Sequence, residues 1–218
     1  MINLYIFNEK SKAAVFGIGT YIRELTAALK GSNINVCVVH LSSERQEMEI
    51  EELEGVRYWF FPAPTTFHFH QKQEHYYRNV LYLLQMYIVD RKNLIFQINY
   101  LHCKSLVEFL RASFECKIVL VIHYLESINT LLGNISRFRR IISQPNVLTD
   151  EIEIMAKLSF LKEKELLQSP SIDKIICLSN HAFDLLHQDY QIDKEKMDVI
   201  YRMFPSFFSL EDCRKLRD

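Results

Sequence analysis

"KIVLVIH", Lys117 to His123, is the most continuous β-branched run in the chain, and its reading decides the fold. A strand wetted on one face alternates apolar and polar residues; this run does not. It suits a central strand of a parallel sheet, covered on both faces. Working outward, similar runs recur on either side: "INLYIF" (2–7), "INVCVVHL" (34–41), "VRYWFF" (56–61), "NLIFQI" (93–98), "DKIICLS" (173–179) and "KMDVIY" (196–201). Pro62 and Pro64 end the third of these, since proline cannot serve a central ladder.

Helical patterns fill the intervals. "TYIRELTAALKG" (20–31) places Ile22, Leu25, Ala28 and Leu29 on one face, Gly17 to Gly19 close the loop before it, and Gly31 supplies a stop. Tyr77, Val80, Leu81, Leu84 and Ile88 form a stripe within a helix over 73–91, and "SLVEFLRAS" (105–113) makes another. The span 150–167 reads as a charged helix with Ile154, Leu158 and Leu161 inward and "KEKE" (162–165) facing solvent; "NHAFDLLHQDY" (180–190) follows as a helix. The stretch 124–149 is the least regular and reads as loops with a short helix. About seven strands and five or six helices result, with no internal repeat. The alternation of strand-like and helix-like patterns predicts one doubly wound, mainly parallel α/β sheet of Rossmann-like type. It predicts a domain over 1–205, with 206–218 as a linker or helix opening at a Ser209 cap.

Composition limits the partners. The chain has 218 residues, 49% hydrophobic and 24% charged, with a formal net charge of −1. That balance fits a folded globular domain and argues against a nucleic-acid binder, which needs a concentrated basic face. The densest basic stretch, "RFRRII" (137–142), is short and reads as a solvated loop or helix end. Five cysteines stand singly without a CxxC pair, which points to reduced thiols in a cytoplasm. Cys37 and Cys177 lie inside strand runs, where a thiol behaves as a small inert hydrophobe. No apolar run approaches the roughly 18–20 residues of a bilayer span, and the N-terminus lacks the pattern of a signal peptide.

In a doubly wound sheet, ligands gather at the carboxyl ends of the strands, near the point where strand order reverses. Three loops qualify: 8–20, 123–129, and the turn at Ser179 and Asn180. The first carries G-x-G, but Ile22 stands where a dinucleotide site needs its third glycine, and no phosphate-binding G-x-x-x-x-G-K-S/T occurs. The general physics of glycine and free helix N–H groups still favours an anion or a hydroxyl-rich ligand there. His123 ends the central strand, with Glu126 three residues on; an imidazole there can hydrogen-bond a ligand or move a proton near neutral pH. Ser179 has the position of a helix N-cap, which explains it without chemistry. His68 and His70 share one face of an extended segment, but no standard zinc spacing completes them, so no metal is expected.

Taken together, "FGIGTYIRELTAALK", "VIHYLES", "IICLSNHAFDLL" and "KMDVIYRMF" resemble, in order and spacing, the amino-terminal half of a bacterial family 4 glycosyltransferase of GT-B architecture. The resemblance spans nearly the whole chain. It implies a cytoplasmic enzyme of glycoconjugate or polysaccharide biosynthesis, whose cleft lies between an acceptor-side domain and a domain holding a nucleotide-sugar donor. It implies no tightly bound cofactor and no metal. Residue by residue, it implies that His123 contacts the transferred sugar. Gly17, Ile18, Gly19, Thr20, Glu126, Ser179 and Arg202 would face donor phosphates or acceptor. Two departures stand out: Tyr201, Arg202 and Met203 replace the family's Pro-Asn-Gly, and the donor domain with its paired glutamates has no counterpart in the sequence. The expectation is a chain inactive until completed by a donor domain or partner chain. Its acceptor would be a sugar or lipid-linked sugar, with peripheral contact at the inner membrane face left open through Arg137, Arg139 and Arg140. The alternatives are a non-catalytic binding or interaction module that kept this fold, and a nicotinamide-dependent enzyme.

Overall fold

The computed structural model describes residues 1–9, 17–64, 72–143 and 150–200. The run that opens the sequence argument becomes strand β6 (Cys116–Ile122), inside an eight-stranded sheet. The other strands are β1 (Ile2–Glu9), β2 (Ile34–Ser43), β3 (Glu49–Leu53), β4 (Val56–Pro62), β5 (Leu94–Ile98), β7 (Lys174–Cys177) and β8 (Met197–Val199). Their order is β3-β4-β2-β1-β5-β6-β7-β8. Every pairing is parallel except β3 with β4. The doubly wound α/β sheet is therefore as expected.

Strand β3 is the addition. "EIEEL" carries too many glutamates to read as a strand, yet Glu54 and Gly55 turn the chain back at φ of 54° and 79°, so β3 pairs antiparallel along β4. Its side chains stay largely exposed, which suits a short, charged edge strand.

Seven α-helices lie among the described residues: α1 (Gly17–Leu29), α2 (Lys72–Tyr87), α3 (Lys104–Ser113), α4 (Glu126–Asn129), α5 (Ile135–Ser143), α6 (Glu151–Gln168) and α7 (Asn180–Gln188). Strand β1 shows how the two faces are filled. Leu4 and Ile6 join Ile18 and Ile22 of α1, Val36, Val38 and Val56 on one face. Tyr5 and Phe7 point the other way, into the larger core with Trp59, Phe96 and Leu110. Cys37 and Cys177 are buried; burial pushes their thiols up to about 12 and about 11, so both stay protonated, as read from their strands.

Three helical details differ from the sequence reading. Helix α1 starts at Gly17, so Gly17 and Gly19 belong to its first turn rather than to the preceding loop, and Ala28 is exposed. Among the described residues of the stretch 124–149 there are two helices, α4 and α5. Helix α6 is rotated from its expected face. Ala156, Phe160, Glu163 and Leu167 point inward, while Leu158 and Leu161 are 52% and 51% exposed and Ile154 is 38% exposed. Phe160 decides this, because its ring packs on Phe138 and Tyr190 at centroid distances of 5.5 Å and 4.8 Å.

The arginines of "RFRRII" sit on α5. Arg137 pairs with Asp150 and Glu153, Arg140 with Glu153, and Arg139 with Asp189. They tie α5 to α6 and to the end of α7 and do not form a free cationic face. No helix among the described residues is long and apolar enough to cross a membrane.

At the amino edge of the sheet, Asp173 accepts from the Ile118 N–H at 2.8 Å, from Lys117 at 3.1 Å and from the Arg111 guanidinium. Burial alone would raise its pKa, but these donors outweigh burial and hold the carboxyl below its ordinary value. The folded chain thus binds this proton less tightly than the unfolded chain. The stabilisation is full above the unfolded value of about 3.9 and is lost as pH falls through the folded one. Asp173→Ala should cost about 1–2 kcal/mol at neutral pH after solvent screening. Urea titrations at pH 7 and pH 3 check this, and a cost that does not shrink on acidification contradicts it.

Candidate functional site at the carboxyl edge of the sheet

Strand order reverses between β1 and β5: the chain runs outward from β1 through β2 and β4, then returns to place β5 on the other side of β1. The carboxyl ends of β1, β5 and β6 therefore form the open crevice. Polar residues that an apolar core would reject occur there. Asn99, 1% exposed, donates to the Phe7 carbonyl at 3.1 Å, which fixes the orientation of its amide. Its Oδ1 then accepts from Gln97 at 3.3 Å and from His123 Nε2 at 3.1 Å. His123 must donate from Nε2, so in the neutral ring Nδ1 is the basic nitrogen.

Tyr21 brings the start of α1 into the same network. It lies one residue beyond Thr20 on α1, and its ring meets His123 edge-on at 5.0 Å between centroids. The Tyr21 hydroxyl is 3.5 Å from Gln97 Nε2. Burial raises the Tyr21 pKa and the Gln97 hydrogen bond opposes that rise, so the phenol stays neutral. The start of α1 and His123, about a hundred residues apart in sequence, are thus held together by three side chains.

The expected site residues fall into separate positions. Gly17 is exposed, and an added Cβ there would meet nothing within 4 Å, so packing does not require glycine. Ile18 is 4% exposed and belongs to the core under α1; its side chain is structural, because the first helical turn points it at Leu4 and Ile6. Thr20 accepts from Arg23 at 3.3 Å. Glu126 turns to His102, at 2.5 Å from Nε2. Ser179 caps α7 through the Ala182 N–H at 3.1 Å, as its position indicated. Ser179 also joins His123 on the wall of a cleft of about 290 Å³ between β6, α4 and α7. Arg202, the segment 206–218, and His68 and His70 lie outside the described residues. Among the described residues, no group of three His, Cys, Asp or Glu side chains could hold a metal ion.

Sequence reasoning missed Tyr21, Asn99, His102 and Glu163. Glu163 sits in the "KEKE" run expected to face solvent, yet it is 3% exposed. Its carboxylate accepts from the Glu126 N–H at 2.5 Å, the Ser127 N–H at 3.3 Å, Ser127 Oγ at 2.6 Å and the Tyr190 hydroxyl at 2.7 Å. It thereby anchors α4, which forms one wall of the cleft beside His123. Nearby Glu9, at the end of β1, has its pKa raised by burial, an effect that His102 partly offsets.

Comparison with known proteins identifies the fold and the family. The fold matches a sucrose-phosphate synthase structure from Thermosynechococcus elongatus with a TM-score of 0.57 at 12% identity, covering 99% of this chain and 94% of that one. It matches a glycosyltransferase from Rickettsia africae with a TM-score of 0.56 at 14% identity, covering 99% of this chain and 48% of that one. The chain thus spans about half of the Rickettsia enzyme. At such identities the likeness is one of fold. No curated protein sequence matches the chain. The family model of Glycosyltransferase Family 4 matches residues 15–204, from just before α1 to past β8, and the chain belongs to that family.

Proposed function

We propose that the chain is the acceptor-side half of an enzyme that moves a sugar from a nucleotide-sugar donor to an acceptor, and that transfer requires a donor-binding domain. The observation that carries this reading is the Tyr21–Gln97–Asn99–His123 network, which sets a histidine beside the first turn of α1 at the strand-order reversal. The backbone N–H groups of Gly17, Gly19 and Thr20 would meet donor phosphates or acceptor hydroxyls. The Ile18 side chain, being in the core, takes no part. His123, held by Asn99, would contact the transferred sugar, and fixed donors of this kind stabilise the charge that develops on a departing diphosphate. Glu126 would act with His102 as a hydroxyl-binding pair, and Ser179 would line the acceptor path. The half-length match to the Rickettsia enzyme supports a second domain as the donor-binding partner.

The test is transfer from a panel of nucleotide sugars, using this chain alone and fused to the carboxy-terminal half of the Rickettsia glycosyltransferase. Turnover is expected only in the fusion. Turnover by the chain alone would overturn the requirement for a donor domain, and tight NAD(P) binding would favour a dehydrogenase instead.

A further inference from the structure

Helix α6 carries two apolar stripes, and the fold covers one of them. Ala156, Phe160 and Leu167 pack inward, while Ile154, Met155, Leu158 and Leu161 stand exposed on the other side. Exposed apolar residues scattered singly are ordinary; four on one helix face make a patch of the kind that marks a contact surface. Glu151, Met155, Leu158 and Lys162 follow one another at spacings of four, three and four residues, so they share one line along the helix. Ile154 and Leu161 run beside that line on a single flank. Most charges of α6 already have partners within the chain: Glu153 pairs with Arg137 and Arg140, Glu165 pairs with Lys104, and Lys164 donates to Gln191. Glu151 and Lys162, at the two ends of the line, make no ion pair among the described residues.

We propose that this face of α6 is a self-association surface, covered by α6 of a second copy of the chain running antiparallel to it. The charge pattern selects this occupant, because the line is complementary to its own reverse. A two-fold axis level with Ala156 and Lys157 sets Met155 against Leu158 of the partner subunit, and Ile154 beside Leu161 of the partner subunit. The same operation closes each end of the seam with Glu151 against Lys162 of the partner subunit. Such an arrangement is an isologous pairing with the layering of an antiparallel coiled coil. Parallel pairing would bring Glu151 onto Glu151 and Lys162 onto Lys162, and like charges repel there. Opposed helix directions also place each amino end near the partner's carboxyl end, which suits the helix dipoles. The seam from residue 151 to residue 162 is about 16 Å long, so the contact falls among small interfaces, under about 1,200 Å², and the dimer is weak and concentration-dependent.

Sedimentation velocity of the chain, from low-micromolar to near-millimolar concentration, should show a monomer passing reversibly into a dimer. Leu158→Lys puts two charges at the centre of the contact and should raise the dimer dissociation constant by at least about 100-fold. Its circular dichroism and melting should match the wild type, because Leu158 is exposed in the monomer. Glu151→Lys and Lys162→Glu, each alone, set like charges opposite one another at both ends and should each weaken the dimer about tenfold. The double variant Glu151→Lys/Lys162→Glu exchanges the partners and should return to within about threefold of the wild type. A monomer at every concentration would overturn the proposal, as would a dimer that Leu158→Lys leaves intact or a double variant no tighter than the single ones. A monomer that sediments with phosphatidylglycerol vesicles would overturn it in favour of a membrane surface.

Discussion

Glu163→Ala is expected to destabilise the chain by about 3 kcal/mol or more and to loosen the turn that carries Glu126. The carboxylate takes four hydrogen bonds; its removal leaves two N–H groups of α4 without that acceptor and leaves the buried Ser127 and Tyr190 hydroxyls only their bond to each other, at 2.6 Å. Glu163→Gln keeps the shape and part of the bonding, so it should cost less. Acid–base behaviour separates the two variants further. Burial raises the Glu163 pKa even though the donors from Ser127, Tyr190 and Glu126 pull it down, so the folded chain holds this proton more tightly than the unfolded one. Stability should therefore fall as pH rises from the unfolded value of about 4.3 up to the folded value, then level off. The glutamine variant should lack that decline. Urea denaturation between pH 4 and pH 8 measures both effects, and parallel profiles for wild type and Glu163→Gln would contradict the assignment.

The second large effect concerns transfer itself. In the completed fusion enzyme, His123→Ala should lower kcat by about 100-fold, the loss that follows removal of one preorganised donor beside developing charge. Its effect on folding should stay within about 1 kcal/mol, because the ring is only half-buried. Asn99→Leu removes the acceptor that fixes the His123 tautomer, and should reproduce part of the kcat loss with little change in KM. An unchanged kcat in His123→Ala would remove this residue from the site.

The sheet was legible because its signals are local. Runs such as "INVCVVHL" and "KIVLVIH" carry their burial in their own composition, and "CLSNHA" carries its helix cap at Ser179. Strand β3 was not legible: its glutamates argue against a strand, and only pairing with β4 makes it one. The facing of α6 was hidden for a related reason. Its sequence offers two apolar stripes, and the choice between them depends on Phe138 and Tyr190, which come from other elements. Within the candidate site, the places of His123 and Ser179 on the cleft wall were legible because both follow strands. Ile18 could not be told from a ligand contact until α1 was seen to start at Gly17. Asn99 followed a strand in the same manner as His123, and the polar pair Gln97 and Asn99 at a strand end was the available signal. Glu163 offered none, since a glutamate alternating with lysines, as in "KEKE", looks identical whether its helix faces water or core.

The three-residue contact between α1 and His123 makes the start of α1 and the central strand a single thermodynamic unit. A ligand that orders the start of α1 also restrains Tyr21, and through Gln97 and Asn99 the imidazole, so binding at either end must change affinity at the other by the same factor. Substitutions at Tyr21 and His123 should then be strongly non-additive, each removing what the other needs.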